Sequence, residues 1–446
     1  MRKKLILLLS FVILISMACP LLSVQAATFQ NDVETSTKSL YLYNVDFETP
    51  VYEKNAQERR SPASTTKIMT YIITIENVKD PDDTLVTVTK DVVDQLLGTG
   101  SSMSGVLPDE QLTVTQLLHC LMIPSGNDAA MVLANYVGGG NIQTFVDKMN
   151  EKARELGCAN THFTNPHGLY NEEHYTTAED LTKIARYAMD TPKFMEITSK
   201  MTYELPPSNV RPTPKILENT NSMMLSSSVY YYQYVKGIKT GWIDEAGKCL
   251  VSTASKDGYS YLCVALGGLD KDDEGEKYDG SMVDTRRLYR WAFENLERKS
   301  IVTLDKMVAE VPLELAWQKD RLQLLPKESV QALLPKDVEL ASITITPNDD
   351  VVESVTAPVK QGTILGTATL SYANQVLGTV DLVAAEDVNR SELLYILNGA
   401  KKIVTSKWFL FSAALLVVLF IVYLILSTIY TKRNKRRRKV KKYRKL

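Results

Sequence analysis

Cysteine and histidine are scarce in this chain, five and four among 446 residues. One cysteine, Cys19, falls in an apolar leader. The others, Cys120, Cys158, Cys249 and Cys263, belong to a chain long enough to build a core without covalent staples. They read as free buried thiols. The alternative is a disulfide between Cys249 and Cys263, which flank Lys256-Asp257-Gly258 and could face each other across a hairpin. His162, His167 and His174 lie close together, but their spacing matches no helical zinc motif, and neither a metal nor a cofactor is expected. There is no internal repeat, and the only low-complexity stretch is a basic tail. With 45% hydrophobic and 23% charged residues, global disorder is excluded.

Acid is missing from both ends. Residues 1–26 carry Arg2, Lys3 and Lys4 and no carboxylate, and Lys432–Lys445 hold 11 bases and none. Removing these 14 bases from 51 leaves 37 against 52 acids, so the body between them carries -15 although the whole chain is at -1. A body this acidic argues against a nucleic-acid partner.

The two ends read as membrane signals. A basic start, the apolar run Leu5–Ala18 and the small-residue site Val24-Gln25-Ala26 make residues 1–26 a secretory signal peptide. Residues 408–431 contain no charge. At about 1.5 Å per residue they span about 36 Å, enough for the hydrocarbon core. Trp408 and Tyr430 sit where interfacial aromatics belong, and the basic run that follows places residues 432–446 in the cytoplasm and the body outside.

Between these segments the pattern divides at about residue 298. Residues 28–298 begin with strand signals at Ser39–Tyr43 and Pro50–Glu53, around a turn at Asp46-Phe47-Glu48. A helix follows Pro62, and helical spacing recurs in 112–122, 128–136, 142–156 and 178–189. Strand character returns at Tyr234–Lys239, Cys249–Ala254 and Tyr261–Leu266, before a closing helix over 283–297. Strands first, helices in the middle and strands last suit an α+β domain, with a central antiparallel sheet flanked by helices and its first and last segments adjacent. Residues 299–386 are short strand-like runs, among them 342–346, 351–355, 363–370 and 376–383. They predict a small all-β domain, and a linker over 387–407 leads to the membrane helix.

Three short elements carry chemistry. In Ser64-Thr65-Thr66-Lys67, positions i and i+3 share a helix face, so the amine can take the hydroxyl proton if it is neutral. Alone the motif is weak, since roughly two Ser-x-x-Lys matches are expected by chance in such a chain. Ser125-Gly126-Asn127 can present a hydroxyl and an amide at a turn, or can simply cap a helix. Lys239-Thr240-Gly241, at the end of its strand, offers a cation and a hydroxyl to a carboxylate, or is an ordinary solvated edge lysine.

In this order and spacing, the three resemble the signature of penicillin-recognising serine enzymes. Ser61-Pro62-Ala63-Ser64-Thr65-Thr66-Lys67, Pro124-Ser125-Gly126-Asn127-Asp128, Asn165-Pro166-His167-Gly168-Leu169 and Gly237-Ile238-Lys239-Thr240-Gly241 narrow the resemblance to the low-molecular-mass penicillin-binding proteins, serine-type D-Ala-D-Ala carboxypeptidases. Ala357–Gly362 and Val383–Val388 resemble that family's C-terminal β domain. The resemblance implies Ser64 as the acylated nucleophile, Lys67 as its base and Ser125 as a proton relay. It implies Asn127, Lys239, Thr240, Gly241 and Trp242 as substrate-binding, with the Ser64 and Trp242 amides as the oxyanion hole. Lys67 then needs a lowered pKa, and Lys239 is expected to stay charged. The implied partners are peptidoglycan stem peptides ending in D-Ala-D-Ala, β-lactam antibiotics and, through the C-terminal helix, membrane lipid. A β-lactamase is the rival of the same fold, but Glu179-Asp180-Leu181-Thr182 does not fit the Glu-x-x-Leu-Asn of the class with a glutamate-activated water. A wall endopeptidase and a non-catalytic wall-binding protein are two further rivals.

Overall fold

The computed structural model describes Phe29 and residues 32–373 and 375–443. The expected signal segment, with Cys19, and the last three residues of the basic tail lie outside these. Two compact units are present: one reaches Glu297 and takes in Leu333–Lys336, and the other comprises Arg298–Ala332 and the chain from Asp337 onward.

In the first unit, β1 (Ser39–Asn44) and β2 (Thr49–Lys54) form the expected hairpin. Helices α1 (Lys67–Asn77), α2 (Val114–Met122), α3 (Asn127–Val137), α4 (Ile142–Glu155) and α5 (Ala178–Met189) follow. A small hairpin, β3 (Thr202–Leu205) with β4 (Lys215–Glu218), occupies a stretch without sequence signals. Then come β5 (Val235–Ile243), β6 (Gly247–Lys256), β7 (Tyr259–Gly268) and the closing helix α6 (Gly280–Asn295).

The sheet order is β2-β1-β7-β6-β5, so the first and last strand segments are neighbours, as expected. All its pairings are antiparallel, with Leu40 opposite Ala265 and Leu42 opposite Cys263. Every residue of β1 is buried, because both faces of the sheet are covered. Alternation divides the strand: Tyr41 and Tyr43 join the core formed with α1–α5, and Leu40 and Leu42 join Leu288, Tyr289 and Ala292 of α6. Cys249 belongs to the first cluster and Cys263 to the second. The two thiols therefore lie on opposite faces, and both are free. Asp284 of α6 ties the start of the chain down, accepting from the Ser36 amide at 2.8 Å and from the Thr37 amide at 2.7 Å.

One difference bears on function. Lys239-Thr240-Gly241 does not end its strand. Pairing with β6 continues through Gly241↔Cys249 and Trp242↔Lys248 to Ile243↔Gly247, so the motif lies mid-strand on the edge strand of the sheet.

The second unit contains β8 (Ala309–Glu314), β9 (Arg321–Pro326), β10 (Thr344–Pro347), β11 (Val355–Thr356), β12 (Ile364–Tyr372) and β13 (Gln375–Ala384), in the sheet order β10-β12-β13-β9-β8-β11. The expected strand over 351–355 shrinks to its last residue. The Val351 amide closes a turn onto the Asn348 carbonyl at 3.1 Å, and ladder pairing with β8 begins only at Val355. Helix α7 (Glu392–Val404) falls in the expected linker. Helix α8 (Lys407–Tyr443) contains the apolar span Lys407–Asn434, with a mean hydropathy of 3.0 and no part of it buried.

Candidate active site

Ser64 is not in the α-helix itself. Ala63–Thr66 form a 3₁₀ turn, and α1 starts at Lys67. Residues i and i+3 eclipse in a 3₁₀ turn, so Ser64 and Lys67 still meet. The turn is entered through Ala63 in the left-handed region at φ 46. Its carbonyl is held by Thr66 Oγ1 at 2.8 Å. Thr66 Oγ1 in turn contacts His174 Nε2 at 2.8 Å, while His174 Nδ1 accepts from the Thr164 amide at 3.0 Å. Because Nδ1 is an acceptor, Nε2 carries the proton and donates to Thr66. Gly168, at φ 91, passes so close that a Cβ there would lie 1.8 Å from the Ala63 carbonyl oxygen.

Lys67 is fully buried, and its Nζ has three partners: Ser64 Oγ at 2.8 Å, Asn127 Oδ1 at 2.6 Å and the His167 carbonyl at 2.8 Å. Burial holds its pKa well below the ordinary lysine range; the charge of Lys239 lowers it further, and Asp128 acts in the opposite sense. A neutral amine has two hydrogens and one lone pair. The two carbonyl partners can only accept, so they take both hydrogens. The lone pair is left facing the one partner able to donate, the Ser64 hydroxyl.

Ser125-Gly126-Asn127 forms the turn between α2 and α3. Ser125 is buried and left-handed at φ 63. The N-cap of α3 is Gly126, with no side-chain cap, so the Ser125 hydroxyl is not spent as a helix cap. A Cβ on Gly126 would lie 2.6 Å from Asp128 Oδ1 and 2.8 Å from the Cys120 carbonyl. Asp128, fully buried, accepts from the amides of Ser104 at 2.8 Å, Gly105 at 2.7 Å and Val106 at 3.2 Å. The Asn127 amide donates to the Ser102 carbonyl at 2.8 Å. Together these bonds fasten the Gly98–Gly105 loop beside the turn. Sequence reading missed the part played by Asp128 and by the His167 carbonyl, although both lie in stretches already singled out.

Lys239 is 1% exposed, not solvated as an edge lysine would be. Its Nζ donates to the Thr240 carbonyl at 2.9 Å, and burial lowers its pKa to about 7. This works against the expectation that it stays charged, because desolvation penalises the ammonium where no carboxylate is present. Thr240 Oγ1 lies 2.5 Å from Thr220 Oγ1. At Gly241 a Cβ would lie 2.9 Å from the Ser64 amide nitrogen, so the β5 backbone runs directly past the serine. Trp242 is half-exposed, and Lys248 Nζ sits 4.9 Å from its ring centroid.

A cavity of about 680 Å³ joins these groups; Ser64, Ser125, Asn127, Thr240, Gly241 and Trp242 all line it. Thr99–Ser102, Leu169, Tyr170 and Thr220 are among the other residues that line it. Lys67 and Lys239 are buried and do not line the cavity, so of all eight residues singled out from sequence, six reach the cavity wall and two lie behind it. The histidines are engaged within the fold. His174 uses both ring nitrogens, His162 Nδ1 meets the Glu173 carbonyl at 2.6 Å, and His167 Nδ1 accepts from the Leu169 amide at 3.2 Å. Among the described residues, no group of three or more His, Cys, Asp or Glu is placed to hold a metal.

Known proteins resemble this chain in sequence and in fold. Residues 25–269 match the family model described as D-alanyl-D-alanine carboxypeptidase, and residues 297–390 match the C-terminal domain of penicillin-binding protein 5. The chain is 28% identical over 391 residues to a D-alanyl-D-alanine carboxypeptidase, DacF, of Bacillus subtilis, covering 88% of this chain and 96% of that one. It is 35% identical over 236 residues to a D-alanyl-D-alanine carboxypeptidase of Streptomyces sp. K15, covering 51% and 79%. Among solved structures, penicillin-binding protein 5 of Haemophilus influenzae superposes with a TM-score of 0.61 at 23% identity, covering 81% of this chain and all of that one. The Streptomyces K15 DD-transpeptidase superposes with a TM-score of 0.54 at 30% identity, covering 59% and 100%.

Proposed function

The chain belongs to the D-alanyl-D-alanine carboxypeptidase family, and on that premise we propose how its residues divide the reaction. The activity is serine-type D-alanyl-D-alanine carboxypeptidase, and we place penicillin binding at the same serine. Ser64 Oγ attacks the carbonyl carbon of the penultimate D-Ala of a peptidoglycan stem peptide, and its proton passes to neutral Lys67 Nζ. The Ser64 and Trp242 amides hold the developing oxyanion. As the tetrahedral adduct collapses, the C–N bond breaks and the terminal D-Ala leaves, its amine receiving a proton from Lys67 by way of Ser125. Water then attacks the ester, giving up a proton to the same base, and the shortened peptide is released.

The substrate's terminal carboxylate lies against Thr240 with Lys239 beneath it. A carboxylate there would restore the charge that burial suppresses in Lys239, so the lysine is recruited by substrate rather than standing charged. Asn127 positions the peptide while its Oδ1 fixes Lys67. A β-lactam presents a carboxylate and a strained carbonyl to the same groups. The observation that carries this reading is the arrangement around Lys67 Nζ, with two carbonyl acceptors and one hydroxyl.

The apolar C-terminal helix anchors the protein in a membrane. We place the catalytic unit outside and the basic tail inside, because 11 bases follow the span directly. The function is tested by free D-alanine release from a pentapeptide ending in D-Ala-D-Ala. Stoichiometric release of one D-alanine per peptide is expected. An inert peptide, with penicillin still acylating the protein, would overturn the carboxypeptidase assignment.

A further inference from the structure

The second unit carries an exposed tryptophan whose surroundings point toward lipid. Helix α7 is amphipathic: Leu393, Ile396, Leu397, Ile403 and Val404 recur at helical spacing, and each is between 51% and 64% exposed. The helix ends at Val404, and the membrane-spanning helix begins at Lys407. An uncovered apolar stripe whose chain enters the bilayer within three residues is covered most simply by the bilayer, with α7 lying along the interface.

The start of α7 is tied to the loop between β8 and β9. The Ser391 amide donates to the Leu315 carbonyl at 2.8 Å. That loop turns through two left-handed residues, Leu315 at φ 59 and Gln318 at φ 67, and lifts Trp317 between them to 59% exposure. Trp317, Lys319, Asp387, Arg390 and Ser391 surround a shallow cavity of about 330 Å³. Arg390 stacks 4.0 Å from the Tyr395 ring centroid, and Lys319 pairs with Glu386 at 2.5 Å. Exposed aromatics with bases beside them suit the boundary between headgroups and acyl chains.

We infer that the loop Leu315–Asp320 is a second lipid-contact point, separate from the spanning helix, with Trp317 seated at headgroup depth. Lys319, Arg390, Lys401 and Lys402 are largely offset by Glu386, Asp387 and Glu392, leaving +1, so aromatic and apolar burial supplies most of the contact, and anionic lipid is not required for it.

The test uses the full chain in nanodiscs of phosphatidylcholine, with and without bromine on the upper acyl chain. The fluorescence lost on Trp317→Phe isolates the Trp317 signal from the other tryptophans. That difference signal should lose most of its intensity in brominated lipid, to the same extent when phosphatidylglycerol is added. D-alanine release from a soluble pentapeptide should be unchanged in the variant. A difference signal indifferent to bromine and quenched by aqueous iodide would overturn the inference. Quenching that appears only with phosphatidylglycerol would overturn its aromatic basis.

Discussion

The two units treat charge in opposite ways. Among the described residues, every buried polar or charged side chain lies in the first unit, from Thr37 to Thr285, and includes Lys67, Lys239, Asp128, Asp284 and Glu110. In the second unit the buried side chains are apolar, and ion pairs such as Lys327–Asp381, at 2.9 Å, stand at the surface. Burying an ion costs several kcal/mol unless it is paired or neutralised. The first unit bears that cost at Lys67 and Lys239, whose ionisation burial alters, and offsets it with hydrogen bonds or an ion pair at Asp128, Asp284 and Glu110. The second builds an apolar sheet core.

Breaking this contrast should have effects of decreasing size. Ser64→Ala should abolish covalent labelling by penicillin, read as loss of the adduct mass on the intact protein. Labelling at full stoichiometry would remove Ser64 from its role. Gly168→Ala comes next. Its methyl would strike the Ala63 carbonyl at 1.8 Å in a backbone with φ 91. The turn holding Ser64 must shift, and we expect roughly 3 kcal/mol or more of lost stability with impaired acylation, measured by denaturant unfolding and penicillin labelling. A variant as stable and as reactive as the parent would show the close approach to be dispensable. Smallest is Lys327→Ala in the second unit. This exposed pair should contribute less than about 1 kcal/mol, and acylation should be untouched. A large change in the acylation rate would show that the second unit takes part in the chemistry.

Much of this was legible in sequence. The order of strands and helices around Ser64 and the paired first and last strands follow from periodicity. The three motifs do meet in one cavity. What sequence could not supply was the solvation of the lysines. Lys239 reads as an edge-strand residue, and it is one, yet the cavity-side packing takes its amine out of water. Strand length misled in the same place, because Trp242 and Ile243 keep pairing beyond the expected end. The β3–β4 hairpin went unseen because its strands are only four residues each. Residues 351–355 have a β-branched pattern, but the turn at Asn348 spends the Val351 amide.

The central claim is that Lys67 acts as a neutral base and Lys239 as a cation recruited by carboxylate. The most direct measurement is the second-order rate constant of acylation, by penicillin and by peptide, for Lys67→Arg and Lys239→Arg across pH. An arginine keeps the charge but cannot take a proton. Lys67→Arg should lose about 10³-fold or more at every pH. Lys239→Arg should retain acylation with weaker apparent binding. Lys239 is protonated below its pKa of about 7 and loses its charge above it. The parent's kcat/KM for peptide should therefore decline as pH rises past that value, and Lys239→Arg should not show this decline. Equal loss in both variants, or a larger loss in Lys239→Arg, would contradict the division of labour between the two lysines.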